Sequence, residues 1–155
     1  AAPAEVRAAV SIRRDYNTIS VGMIDDYFAA LALEAKDRIL ERSRRITRGN
    51  LAILDAWVQK QPRISYVKPQ AGTTALLKYD FDMSSRDFCI QLLEQTGVMF
   101  TPGSALHMEG WLRVGYANDP AILRDGLARV TTFLQGLEAK GIAPARPDAA
   151  QLAAL

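Results

Sequence analysis

Apolar residues recur at steps of three, four and seven along most of this chain, and they alternate only in short runs between about Arg63 and Tyr116. The first turns carry Val6, Ala9, Val10 and Ile12 on one modest apolar side, compatible with a helix. Arg13–Ser20, with sequence RRDYNTIS, breaks that pattern with polar and β-branched residues and predicts a loop. Helical spacing resumes at Ile24, Phe28, Leu31, Ala35 and Ile39 and continues through Ile46, Ile53, Trp57 and Val58. The whole run exceeds an ordinary globular helix, which predicts two helices, or one bent near Gly49.

Beyond Pro62 the period changes. Arg63–Lys68 and Thr73–Tyr79 read as strands separated by the turn-forming PQAG. Ser84, with Asp87 three residues on, predicts a capped helix whose apolar side is Phe88, Leu92 and Leu93 and whose stop is Gly97. Strands are expected at Val98–Phe100 and Trp111–Tyr116, with a Pro-Gly-Ser turn after the first. In the second, alternation puts Leu112, Val114 and Tyr116 on one face and Trp111, Arg113 and Gly115 on the other. Asp119-Pro120 starts a last helix with the stripe Leu123, Leu127, Val130, Leu134 and Leu137, ended by Gly141. The result is a compact α+β unit from about Arg63 to Lys140, preceded by a long helix.

Composition adds bounds. The 155 residues are 49% hydrophobic and 23% charged, with a formal net charge of +2, too small to argue for a polyanion partner. No apolar run approaches the ~20 residues of a membrane helix. The opening AAPAEVRAAV has neither the basic end nor the apolar centre of a secretory signal. The lone Cys89 cannot form an internal disulfide and falls among apolar helix residues, which predicts a buried, inert thiol. These features together predict a cytoplasmic protein.

Arg113 is the leading candidate for chemistry. A strand-held guanidinium can grip a carboxylate through two parallel hydrogen bonds, with Trp111 able to stack beside it and Gly115 leaving room for a ligand. Other candidates have plainer readings. His107 and Glu109 are an acid–base pair only if the fold joins them. Asp25 and Asp26 fit a helix dipole. The basic stretch Lys36–Arg48 is interleaved with Glu34, Asp37 and Glu41 at pairing distance and holds no aromatic, so a solvated helix face is favoured over a nucleic-acid surface.

Several motifs together resemble the class I and II pyridoxal-phosphate-dependent aminotransferases of fold type I. A strand leads into Pro69-Gln70-Ala71-Gly72, then a helix, then Val98, Pro102, Gly103 and Ser104, with Leu106-His107 where that family has Phe-Gly. Gly110-Trp111-Leu112-Arg113-Val114 and Gly115-Tyr116-Ala117 complete the pattern, and the resemblance covers about residues 1 to 140. It implies an α+β fold with an antiparallel-rich sheet covered by helices and preceded by a long helix, in which Arg113 binds the α-carboxylate of an amino acid substrate. It also implies a division into residues 1–33 as a remnant of the large cofactor-binding domain, 34–61 as a long connecting helix, 62–141 as the small C-terminal domain and 142–155 as a flexible tail.

In related enzymes the loop matching Arg13–Ser20 approaches the cofactor and substrate of the neighbouring subunit. There Arg13 and Arg14 suit an acidic substrate, Asp15 a basic one, and the hydroxyls of Thr18 and Ser20 a cofactor phosphate. None of Lys36, Lys60, Lys68, Lys78 and Lys140 has the setting of the family's Schiff-base lysine. The resemblance therefore implies the C-terminal part of a homodimeric aminotransferase. Such a part takes no catalytic residue from this chain, does not itself bind pyridoxal phosphate and is inactive alone. The alternative is a stand-alone binding or interaction module derived from that domain. No metal, nucleic acid or membrane is expected as a partner.

Overall fold

The computed structural model describes residues 2–145, which divide into two compact units, one up to Ser43 and one from Arg44 onward. The first unit holds α1 (Ala4–Asn17), α2 (Met23–Glu34) and the start of α3 (Lys36–Val58). α1 continues to Asn17, so the loop expected from Arg13 is confined to the residues after it. Polar side chains there form an exposed helical surface, and Arg14 lies in the last turn, where a cation complements the helix dipole. Thr18 and Ile19 both donate their N–H to the Arg14 carbonyl, and Ile19 takes a left-handed φ of 62° to leave the helix. Asp25 and Asp26 occupy the first turn of α2, as the dipole account requires.

The long apolar run is two helices, and the break falls at Ala35, not at Gly49. Ala35 leaves helical geometry with φ −93° and ψ 12°, while its carbonyl still accepts from Ile39 N at 3.2 Å. Nothing in Glu34-Ala35-Lys36 announces this, since neither proline nor glycine is involved. Gly49 lies inside α3.

The second unit is built on one antiparallel sheet of four strands in the order β1 (Ile64–Tyr66), β2 (Thr74–Tyr79), β4 (Trp111–Gly115), β3 (Thr101–Pro102). Ala75 faces Val114, Leu76 faces Arg113 and Leu77 faces Leu112 across the central pair. Alternation works as expected: Ala75, Leu77, Tyr79, Leu112 and Val114 are buried, and Tyr116 just past the strand is buried with them. β3 is shorter than the predicted strand and begins later. Val98–Phe100 joins no strand among the described residues, and Met99 is 78% exposed. Pairing stops after Pro102, which has no N–H to donate, and the Pro-Gly-Ser segment tightens into a 3-10 helix over Gly103–Leu106.

Helices α4 (Ser85–Thr96) and α5 (Pro120–Ala139) supply the other layer. Ser84 caps α4 by accepting from Asp87 N at 3.1 Å, and Gly97 ends it in the left-handed region at φ 73°. Asp119 caps α5 by accepting from Ala121 N at 2.8 Å, with Pro120 in its first turn. The expected stripe on α5 is buried in full, and Phe133 joins it. Phe88 stands at the centre of the core, 4.9 Å from the Tyr79 ring and 5.2 Å, edge-on, from Phe133. α3 adds Leu54 and Val58, and its buried Asn50 donates to the carbonyls of Tyr116 at 2.8 Å and Asn118 at 2.6 Å. That amide fastens α3 to the end of β4.

Past Gly141 the chain is tied back to the sheet. Arg63 donates to the carbonyls of Ile142 and Ala143, Asp82 N donates to the Ala143 carbonyl, and Ala145 N donates to Asp80. Residues 146–155 of the expected tail lie outside the described residues.

Candidate functional site

The sheet face turned away from α4 and α5 carries Thr74, Leu76, Trp111, Arg113 and Gly115, none of them buried. Burying one face of β4 forces Trp111 and Arg113 onto the other. There they line a cleft of about 450 Å³ with Val67, Pro69, Leu76, Leu106 and Met108. Arg113 donates through Nη2 to the Thr101 hydroxyl on the neighbouring strand at 3.2 Å. No carboxylate among the described residues forms an ion pair with it. The cleft thus presents one guanidinium, steadied by an edge-strand hydroxyl, against mostly apolar walls. Trp111 is its neighbour on the strand, but the close cation–ring contact found among the described residues lies elsewhere, with Arg63 stacked 3.6 Å above the centre of the Phe81 ring.

The loop that delivers β4 is fixed by a network that sequence reasoning missed. Glu109 Oε1 accepts from Ser85 N at 2.5 Å and from the Tyr79 hydroxyl at 3.2 Å, while Oε2 accepts from the Ser85 hydroxyl at 2.9 Å. The Ser85 hydroxyl in turn accepts from Ser104 N at 3.0 Å. Partial burial works against the Glu109 charge, but hydrogen bonds from Ser85, Gly110 and Tyr79 outweigh it and lower its pKa below 4.5. Burial first, and then the Glu109 charge, push the Tyr79 hydroxyl far above its ordinary value. Glu109 is therefore a structural anion that ties the Gly103–Gly110 segment to the start of α4. Ser85 and Tyr79 are 24 and 30 residues distant from it in sequence, so no local motif could reveal this.

No hydrogen bond joins His107 to Glu109 among the described residues, and the acid–base pair is not formed. His107 instead ends the 3-10 helix with a left-handed φ of 55°. Cys89 is buried, and desolvation, with the Glu109 charge adding to it, raises its thiol to about 11, which matches the inert reading. Thr18 and Ser20 share one turn of the first unit, with Ser20 N donating to the Thr18 carbonyl at 2.7 Å, and both are exposed. Among the described residues no group of His, Cys, Asp and Glu could hold a metal, and no helix is long and apolar enough to cross a membrane.

The family described as aminotransferase class I and II matches residues 5–130. A solved PLP-dependent aminotransferase from Streptococcus suis superposes with a TM-score of 0.82 at 40% identity, over 88% of this chain and 36% of that one. Capreomycidine synthase of Streptomyces vinaceus is 28% identical over 83% of this chain and 33% of its own length. Nicotianamine aminotransferase A of Hordeum vulgare is 36% identical over 44% of this chain and 16% of its own. The chain thus spans a third or less of these curated relatives. With most of its length matched by the family and its fold shared with a solved member, the chain belongs to the class I and II aminotransferases.

Proposed function

We propose that this chain supplies the substrate-carboxylate grip of an enzyme that moves an amino group between an amino acid and a 2-oxo acid with pyridoxal phosphate. The observation that carries the reading is Arg113: a strand-anchored guanidinium, unpaired with any described carboxylate, lining an apolar-walled cleft. Two parallel charge-assisted hydrogen bonds to an α-carboxylate would fix both the position and the plane of a bound amino acid. Fixing that plane sets which bond at Cα stands ready for cleavage, a contribution of orientation. The apolar walls strengthen the ion pair by keeping water from it.

The cleft does not fit pyridoxal phosphate by itself. None of its lining residues is a lysine, and Lys68, the nearest lysine in sequence, is held by Asp55 at 2.6 Å. In this reading the Schiff-base lysine belongs to another part of the intact enzyme, no catalytic residue comes from this chain, and the chain alone is inactive. The hydroxyls of Thr18 and Ser20, exposed together in one turn, are assigned to the cofactor phosphate across a homodimer interface. A cytoplasmic setting agrees with the free, buried thiol of Cys89.

The test is Arg113→Gln in the intact enzyme. Loss of a charge-assisted pair of ~2–4 kcal/mol should lower kcat/KM for the amino acid by roughly thirtyfold to a thousandfold. Arg113→Lys, which keeps the charge but not the fork, should recover only part of it. Unchanged KM and turnover in Arg113→Gln would remove the assignment.

A further inference from the structure

We propose that Arg44 and Arg48 of α3, together with the turn Gln70–Gly72, form a binding site for a small doubly charged oxyanion, separate from the Arg113 cleft. The two arginines stand one helical turn apart, where side chains share a face and like charges repel. Neither is relieved by an acid among the described residues. The pairs expected with Glu34, Asp37 and Glu41 do not form. Asp55, further along α3, is taken by Lys68 and by the Tyr66 hydroxyl, each at 2.6 Å.

Across a cleft of about 250 Å³ from the arginines stands the turn Gln70-Ala71-Gly72, and no acidic residue lines the space between. The turn is held rigidly. Tyr116, 1% exposed, donates its hydroxyl to the Gly72 carbonyl at 2.8 Å and its N–H to the Thr73 carbonyl at 2.9 Å. Those bonds occupy carbonyls, whereas the N–H groups of Gln70, Ala71 and Gly72 donate to no acceptor among the described residues. Gly72 has a φ of 89°, the left-handed conformation with which successive backbone N–H groups make an anion-binding concavity. Two arginines, Gln70 and a turn with three unspent N–H groups therefore line one cleft, and no carboxylate lines it with them. Such a set of donors matches the oxygens of a phosphate or a short dicarboxylate.

The test is a titration of the 155-residue chain with inorganic phosphate, and separately with succinate, at constant ionic strength maintained with chloride. Arginine side-chain NMR resonances report binding. Saturable shifts with either anion support the site, and comparing the two separates phosphoryl from carboxylate recognition. Arg44→Gln and Arg48→Gln should each weaken binding about tenfold. Arg48→Lys should retain part of it, and Arg113→Gln should leave the phosphate response untouched. The glutamine variants keep good helix formers at exposed positions, and an unchanged amide spectrum verifies their fold. Shifts that grow linearly with phosphate and succinate alike, or saturation unaltered in both glutamine variants, overturn the proposal. A phosphate response lost in Arg113→Gln but kept in Arg48→Gln would assign the anion to the other cleft instead.

Discussion

Gly103 has no room for a side chain. A Cβ there would overlap the carbonyl oxygen of Met108 and crowd that of Trp111, both backbone atoms that cannot swing aside. Gly103→Ala should therefore cost about 3 kcal/mol or more, read as a lowered urea midpoint, because the turn into β4 must open. Glu109 supports the same turn by charge. Its pKa is lower in the folded chain than in the unfolded one, so its contribution is present above the unfolded value near 4.5. That contribution is lost as pH falls through the lower folded value. Acid titration of stability should show a steeper loss below pH 4.5 in the parent chain than in Glu109→Gln. Equal slopes would mean that the carboxylate is not held as described.

Among the elements, α3 combines a weak position with a strong anchor. Gly49 sits in its interior with nothing within 4 Å of where a Cβ would go. Gly49→Ala should stabilise the chain by about 0.5–1 kcal/mol, seen as a raised thermal midpoint. The capped starts of α4 and α5 and the alternation of β4 were legible in sequence because each depends on residues a few positions apart. Ser84 with Asp87, and Asp119 with Pro120, are local chemistry. The end of α1 and the division at Ala35 were not legible. Polar residues such as Arg13 and Asp15 are as much at home on an exposed helix as in a loop, and Ala35 departs from helical geometry with an ordinary side chain. β3 lies later than the pattern of Val98–Phe100 predicts because its extent depends on what β4 offers as partner, which no local pattern records.

For the molecule as a whole, the first unit leaves a broad apolar surface open. Val10, Ile12, Met23, Ile24, Tyr27, Phe28 and Leu33 are each more than half exposed, and no described residue of α1 or α2 is buried. Surfaces of this kind do not stay in water when they can be covered. The chain in isolation should associate with rising concentration, measured by light scattering, and Ile24→Lys with Phe28→Glu should suppress it. A monodisperse monomer at high concentration would contradict that. The place of Arg113 on the open sheet face was legible from the alternation around it, whereas the arginine–turn cleft was not, since α3 and Gln70–Gly72 meet only in three dimensions.

Pro102 bears on the form such association takes. A growing fibril needs a free row of alternating donors and acceptors, and β3 offers two residues, one of them without a donor. The sheet is blunted on that side, so strands of other molecules find no template there on which to polymerise.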